Sequence, residues 1–276
     1  MVDIGRFNVL EVVKTVDFGV YLDGGELGTI LLPKRYMPKG CALGDRLSVF
    51  IYMDSEDLLI ATTETPKVCV GECAHLVVSD VNDTGAFLDW GLSKDLLVPY
   101  AEQHKPMDVG KSYVVCVYLD EYTDRIVASS RLSRHLQEFS MYFKQNQPVD
   151  LLICGRSDMG YKAVVNHTHL GLVFRDEAFS ELKYGQKTKG YIQAIRKDKK
   201  IDLSLQLPAG LGRDELSEKI LAYMKEQGGV STLTDKSDPK EIYRLFNVSK
   251  NNYKKALGKL YKEKRILIEK NKVTLL

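Results

Sequence analysis

One short pattern occurs three times in this chain of 276 residues. Asp17-Phe18-Gly19-Val20-Tyr21-Leu22 returns as Asp83-Thr84-Gly85-Ala86-Phe87-Leu88, and again as Asp158-Met159-Gly160-Tyr161-Lys162-Ala163. A second glycine follows 25 positions after each central one, at Gly44, Gly110 and Gly185. An isoleucine comes 16 positions later still, at Ile60, Ile126 and Ile201. Spacings kept three times over point to one small module in three copies.

Each copy reads as five short strands rich in β-branched and aromatic residues, separated by turn residues such as Asp23-Gly24-Gly25 and Asp54-Ser55-Glu56-Asp57. Five strands suit a small barrel better than a sandwich, which needs about seven. A strand that bends at a barrel corner favours a residue without Cβ, the place of Gly19, Gly85 and Gly160. The second glycine starts the fourth strand from a tight turn.

Between the second and third copies the spacing of the central glycines grows from 66 to 75 residues. In the added stretch Leu132, Leu136, Phe139 and Phe143 share one helical face, which predicts a connecting helix over 132–146 that packs this stripe between barrels. An aromatic platform for RNA is the alternative reading of the same residues. After the third copy, Pro208-Ala209-Gly210-Leu211-Gly212 breaks the β pattern and reads as a linker. The tail then changes character. Asp214–Gln227, Asp238–Phe246 and Lys250–Glu263 read as helices, the last capped by Ser249, and Arg265–Glu269 with Lys272–Leu276 as a hairpin.

The expected architecture is mainly β with a C-terminal α+β domain: barrels over 1–66, 67–131 and 147–207, the helix 132–146, a linker 208–213, and the domain 214–276. Charge divides the chain along the same lines. The net charge is −3 over residues 1–67 and −4 over 68–145, then +3 over 146–212 and +6 over 213–276. That asymmetry points to a polyanion held by the second half. No apolar run is long enough to span a bilayer, and Met1–Arg6 lacks a signal-peptide pattern, so no membrane partner and a cytoplasmic location are expected. The five scattered cysteines are expected as reduced thiols. His167 and His169 alternate along a strand and could pair on a metal, but lack a third ligand, so no metal, cofactor or catalytic set is assigned.

The repeat resembles the S1 RNA-binding domain, an OB-fold barrel, at Phe18-Gly19-Val20-Tyr21 and Ile201-Asp202-Leu203-Ser204-Leu205. Three helices followed by a hairpin resemble a winged helix. Their order and number resemble the bacterial conserved virulence factor B family over the whole chain. That resemblance implies a cytoplasmic, non-enzymatic RNA-binding regulator of gene expression, virulence genes included, with the ribosome or RNA-processing proteins as possible company. The S1 resemblance implies bases stacked at two second-strand positions, held here by Phe18 and Tyr21, then Thr84 and Phe87, then Met159 and Lys162, with Phe174 in the place of a third-strand histidine; Tyr161 is a further candidate in the third copy. Basic candidates are Arg125 in copy two and Arg156, Lys187, Lys189, Arg196, Lys197, Lys199 and Lys200 in copy three. On the last helix, Lys254, Lys255, Lys259 and Lys262 surround Gly258 on the face opposite the core, where a glycine would let a sugar-phosphate backbone approach. Single-stranded RNA is the expected ligand, because OB barrels engage splayed bases. A DNA-binding regulator using the winged helix, or a ribonuclease accessory protein, is the alternative.

Overall fold

The computed structural model describes residues 2–54, 56–175, 181–206, 213–246, 248 and 250–276, without the side chains of 213–215. The chain divides into two compact units, Met1–Gln137 and Glu138–Leu276.

The first unit holds two closed barrels. Barrel 1 consists of β1 (Phe7–Val16), β2 (Gly19–Asp23), β3 (Thr29–Pro33), β4 (Arg46–Met53) and β5 (Leu59–Thr62), joined in the order β1-β2-β3-β5-β4. Barrel 2 repeats that order with β6 (Cys73–Asn82), β7 (Gly85–Asp89), β8 (Leu96–Pro99), β9 (Ser112–Leu119) and β10 (Ile126–Ser129). In barrel 1, β1 pairs with β4 over Phe7–Glu11 and with β2 from Val12 onward, changing partner at a bulge between Val12 and Lys14. The same bulge recurs between Val78 and Asp80, and in the third barrel between Ile153 and Gly155.

Both glycines of the repeat have measurable reasons. A Cβ on Gly19, Gly85 or Gly160 would lie 2.3, 2.3 or 2.1 Å from a third-strand carbonyl oxygen. No side chain fits there. Gly44, Gly110 and Gly185 have φ of 87°, 79° and 78°, the left-handed region that glycine enters without steric cost. Their N–H groups donate to the carbonyls of Val12, Val78 and Ile153, at the bulges, over 2.9, 2.9 and 2.8 Å.

Barrel 1 has a core of its own, with Val12, Val20, Leu22, Ile30, Leu32, Val49 and Ile51, and also packs against the core of barrel 2. Phe50, Tyr52 and Ile60 of barrel 1 belong to the cluster built by Trp90, Leu88, Leu96 and Val98 of barrel 2. The Trp90 ring meets Phe50 and Tyr52 edge-on at 5.8 and 6.4 Å. The hydroxyls of Tyr36 and Tyr52 reach Ser93 Oγ, and Lys94 and Arg125 both pair with Asp57. Cys73 and Cys116 stand directly opposite on β6 and β9, Cα atoms 4.0 Å apart, and form a disulfide. This corrects the expectation of five reduced thiols. Strand register decided the pairing, across 43 residues of sequence.

The expected connecting helix 132–146 is also corrected. Only α1 (Leu132–His135) is helical. Arg134 and His135 are held on the Glu102 carboxylate at 3.0 and 3.2 Å, and Leu136 turns to an extended conformation. The predicted stripe is not one face: Leu136 is buried while Phe139 is 53% exposed.

The second unit contains barrel 3 and the terminal domain. Barrel 3 is β11 (Pro148–Ser157), β12 (Gly160–Val165), β13 (His169–Phe174), β14 (Lys187–Ile195) and β15 (Ile201–Ser204), again closed as β11-β12-β13-β15-β14. Of the expected linker 208–213, residues 208–212 lie outside the described residues and Arg213 opens α2; Ser249 also lies outside them. The terminal domain is α2 (Arg213–Glu226), β16 (Val230–Ser231), α3 (Pro239–Phe246), α4 (Lys250–Lys262), β17 (Ile266–Ile268) and β18 (Val273–Leu275). It is a winged helix whose hairpin gains a third strand, β16, on the β18 edge. Its core joins Leu216, Ile220 and Met224 of α2 to Ile242 and Phe246 of α3 and Tyr253, Ala256, Leu257 and Leu260 of α4.

Replacing Gly160 by Ala should therefore destabilise the protein by about 1–3 kcal/mol, through forced displacement of β13 from β12. Urea denaturation of the variant against the wild type measures it; an unchanged midpoint would show that the strands can part without cost.

Candidate nucleic-acid interface

Barrel 3 carries its basic side chains in three separate places. The first is a cleft of about 280 Å³ between β12, β13 and β15, with Leu170, Leu172 and Ile201 in its lining. Ser157, Met159, Lys162, Arg196, Lys200, Asp202 and Glu138 complete its lining. The turn Arg196–Lys200 overhangs it, closed by Arg196 N–H to Lys200 O at 3.0 Å and Lys199 N–H to Arg196 O at 2.9 Å. Lys197, Lys199 and Lys200 are exposed at its tip.

Arg196 has a different part. Its Nε donates to both carboxylate oxygens of Asp202, at 2.7 and 2.9 Å, and its guanidinium lies 5.3 Å from the centre of the Phe174 ring. It braces the hairpin, its charge is compensated, and it occupies one face of Phe174.

The remaining barrel-3 candidates divide further. Lys187 and Lys189 line a second cleft with His167 and Asp150, and Lys189 pairs with Asp150 at 2.5 Å. The two lysines do not line the first cleft beneath the 196–200 turn. Arg156 lines a third cleft, where it pairs with Glu181 at 3.0 Å and lies 5.3 Å from the centre of the Tyr161 ring. Tyr161 is 6% exposed and belongs to the barrel core, so the expectation that it contacts RNA is corrected. Along β12 it shares the inward face with Ala163, and Lys162 takes the outward one.

His167 and His169 do not share a face either. His167 sits in a turn at φ 62°, while the His169 ring enters the barrel against Phe143 at 4.9 Å. No group of three or more side chains suited to a metal ion occurs among the described residues.

In the winged helix, α4 presents Lys254, Lys255 and Lys262 to solvent, while Lys259 is half-buried and pairs with Glu263 at 3.7 Å. Gly258 lies among them, and a Cβ there would meet nothing within 4 Å. Packing does not require this glycine. The first turn of α4 also touches barrel 3: Asn252 Nδ2 donates to Gln206 Oε1 at 3.1 Å.

The first unit holds the weaker candidates. Phe18 is 58% exposed and meets Tyr21 edge-on at 6.5 Å, with Lys14 Nζ 5.9 Å from the Tyr21 ring centre. The two rings occupy the positions at which the S1 resemblance expects base-stacking aromatics. Phe87 is half-buried. Arg125 pairs with Asp57 of barrel 1 and so ties the two barrels together. Sequence reasoning placed Met159 at a base-stacking position of the repeat but missed Glu138 and Asp202 at the first cleft. Asp202 was legible, since the alternation Ile201-Asp202-Leu203 sends it outward.

A sequence model described as the CvfB-like winged helix domain matches residues 218–275, and one described as the S1 domain matches 4–64 and 70–131. The Bacillus subtilis protein YitL is 32% identical over 96% of this chain and 91% of its own length. This chain belongs to the conserved virulence factor B family. Proteins of that name from Staphylococcus saprophyticus and Staphylococcus epidermidis are 29% and 26% identical, over 84% and 99% of this chain and 80% and 94% of theirs. A solved multidomain protein with nucleic-acid-binding domains from Streptococcus pneumoniae is 24% identical, covering 99% of this chain and 98% of its own, with a TM-score of 0.42, too loose a match to bear on function. The domains of this family member are nucleic-acid-binding types, not catalytic ones. No helix among the described residues is long and apolar enough to cross a membrane.

His169 gives the second unit a pH dependence. Its ring is 8% exposed, its Nε2 has no partner, and burial holds its pKa below the ordinary value. The unfolded chain takes up this proton near pH 6.5, about the value of a free imidazole, while the folded one resists it. Stability is therefore full above about pH 6.5 and falls as the pH drops below it. The loss should be smaller in His169→Phe than in the wild type, measured by urea midpoints across that range. Equal slopes would mean that the buried ring takes a proton in place.

Proposed function

We propose that this chain is a non-enzymatic RNA-binding protein that regulates gene expression after transcription, and that barrel 3 and the winged helix hold one single strand together. The observation that carries the proposal is the Asn252–Gln206 hydrogen bond, which joins the first turn of α4 to the end of barrel 3 within one compact unit. The lysines of the 196–200 turn and of α4 thus belong to neighbouring modules with net charges of +3 and +6. Two sites held close act on one strand at an effective concentration of about millimolar. Their chemistry is that of a single-strand binder: lysines neutralise phosphates, an open apolar cleft takes a base, and neither reads a duplex groove. The regulatory role, including virulence genes, rests on the names of the staphylococcal relatives.

Barrels 1 and 2 have the exposed Phe18–Tyr21 pair but net charges of −3 and −4, which oppose a polyanion at low salt. Their part is secondary contact or the docking of a basic partner. The exposed lysines of α4 favour one second reading, duplex DNA bound by the winged helix. Competition between duplex DNA and single-stranded RNA for the full chain separates the two.

The test is the salt dependence of RNA affinity. Replacing Lys197, Lys199 and Lys200 by Ala should lower the log–log slope by roughly 0.7 for each phosphate no longer neutralised, and Lys254, Lys255 and Lys262 should act likewise. Slopes unchanged in both variants would mean that these lysines only keep the protein soluble. Gly258→Ala should raise stability by about 1 kcal/mol yet weaken RNA binding by bringing a methyl group into the phosphate path. A gain in stability with undiminished affinity would show that no backbone lies across α4.

A further inference from the structure

Among the described residues, the segment after α1 carries an aromatic ring that the fold leaves uncovered. Phe139 is 53% exposed, although its neighbours in sequence are fixed on both sides. Glu138 lines the barrel-3 cleft together with Lys162, Arg196, Lys200 and Asp202. Ser140 is buried, and its backbone N–H donates to the Lys199 carbonyl at 3.1 Å, in the tip of the lysine turn. Its Oγ accepts from the N–H groups of Tyr142 and Phe143, at 3.2 and 3.4 Å. Phe143 then anchors the segment against His169. The segment is thus tied to barrel 3 at Ser140 and at Phe143. Phe139 stands between the cleft-lining residue and the residue bonded to the lysine turn.

We propose that Phe139 is a stacking platform for a nucleotide base, extending the barrel-3 cleft beyond the barrel's own strands. The inference rests on the nucleic-acid reading of this barrel and names a contact that the barrel strands do not supply. An exposed ring with no partner of its own gains from a flat apolar surface, and a nucleobase offers one whatever its identity. The turn to which the next residue, Ser140, is bonded carries the exposed Lys197, Lys199 and Lys200, which make that occupant a polyanion, since an uncharged apolar partner would gain nothing from three cations. The tethers hold the ring in place before the ligand arrives, so little ordering is left to be done on binding. Splayed bases of a single strand meet both conditions. A paired duplex keeps its bases stacked on one another and meets only the second.

The experiment uses the full chain and a fluorescent single-stranded RNA. Phe139→Ala should weaken binding about 5- to 100-fold, as removal of one stacked base does. Its salt slope should equal that of the wild type, because stacking releases no counterions. Phe139→Trp should restore affinity, and the added indole should be quenched by RNA; the native Trp90 is buried and supplies a constant background. The thermal melt of either variant should match the wild type, the ring being exposed.

If Phe139→Ala binds like the wild type and the added indole is not quenched, the platform is overturned, and the ring belongs to some other apolar contact. In that case the Lys197, Lys199 and Lys200 variant still reports on the broader reading through its slope. If the wild type has no affinity for RNA, both fall together.

Discussion

Each barrel in this chain is pinned at the same place, where the turn glycine donates its N–H to the carbonyl at the first-strand bulge. The first strand must serve two partners, β4 along its first half and β2 along its second. It can do so only if it bends, and the bulge provides the bend. The glycine's left-handed backbone turns its N–H toward that bulge, in all three copies. On the far side, the second-strand glycine lets β2 lie against a β3 carbonyl with no room for a methyl group. Those two contacts close the barrel. Closure in turn sets the turn between strands 4 and 5 over the cleft of strands 2 and 3, where barrel 3 keeps its lysines.

Both cation types brace the fold, lysines through Lys67, Lys94, Lys111, Lys189, Lys259 and Lys272 among the described residues. Arg125, Arg134, Arg156, Arg196 and Arg265 each meet a carboxylate in an ion pair. A planar guanidinium suits a fixed two-point contact, and here that capacity goes into bracing the protein itself. The exposed charges of the barrel-3 turn and of α4 are lysines. Lysine acts as a point charge on a flexible stem, which suits phosphates at no fixed orientation better than the edge of one base. The arrangement favours affinity for a strand over recognition of its sequence.

The same physics explains what could be read from the sequence. The two glycines of each repeat, which gave away the module, are fixed by close approach and by backbone conformation, and such constraints leave a trace at constant spacing. The winged helix was legible from its helical periodicity and turn residues, though β16 is too short to carry a pattern. Ion pairs leave no local trace. Nothing near Arg125 announces Asp57, 68 positions away, and nothing near Cys73 announces Cys116. Tyr161 is another matter: its alternation with Lys162 and Ala163 pointed it inward, and its aromatic character was given too much weight. The stripe from Leu132 to Phe143 misled for a related reason. Periodicity states what a helix would bury, while Arg134 and His135 held on Glu102 and Ser140 tied to Lys199 stop the helix from forming.

The packing between barrels 1 and 2 bears on how this half of the protein can come apart. Two barrels that did not touch could open one at a time, each with its own free energy of local unfolding. Here Phe50 and Tyr52 of one barrel pack on Trp90 of the other, so opening either one uncovers apolar surface on its neighbour. The two openings are thereby coupled, although barrel 1 keeps a core of its own. Amide protons deep in β4 and in β7 should then exchange with solvent through linked events. The only tryptophan of the chain, set at that junction, becomes a natural reporter on the opening of both.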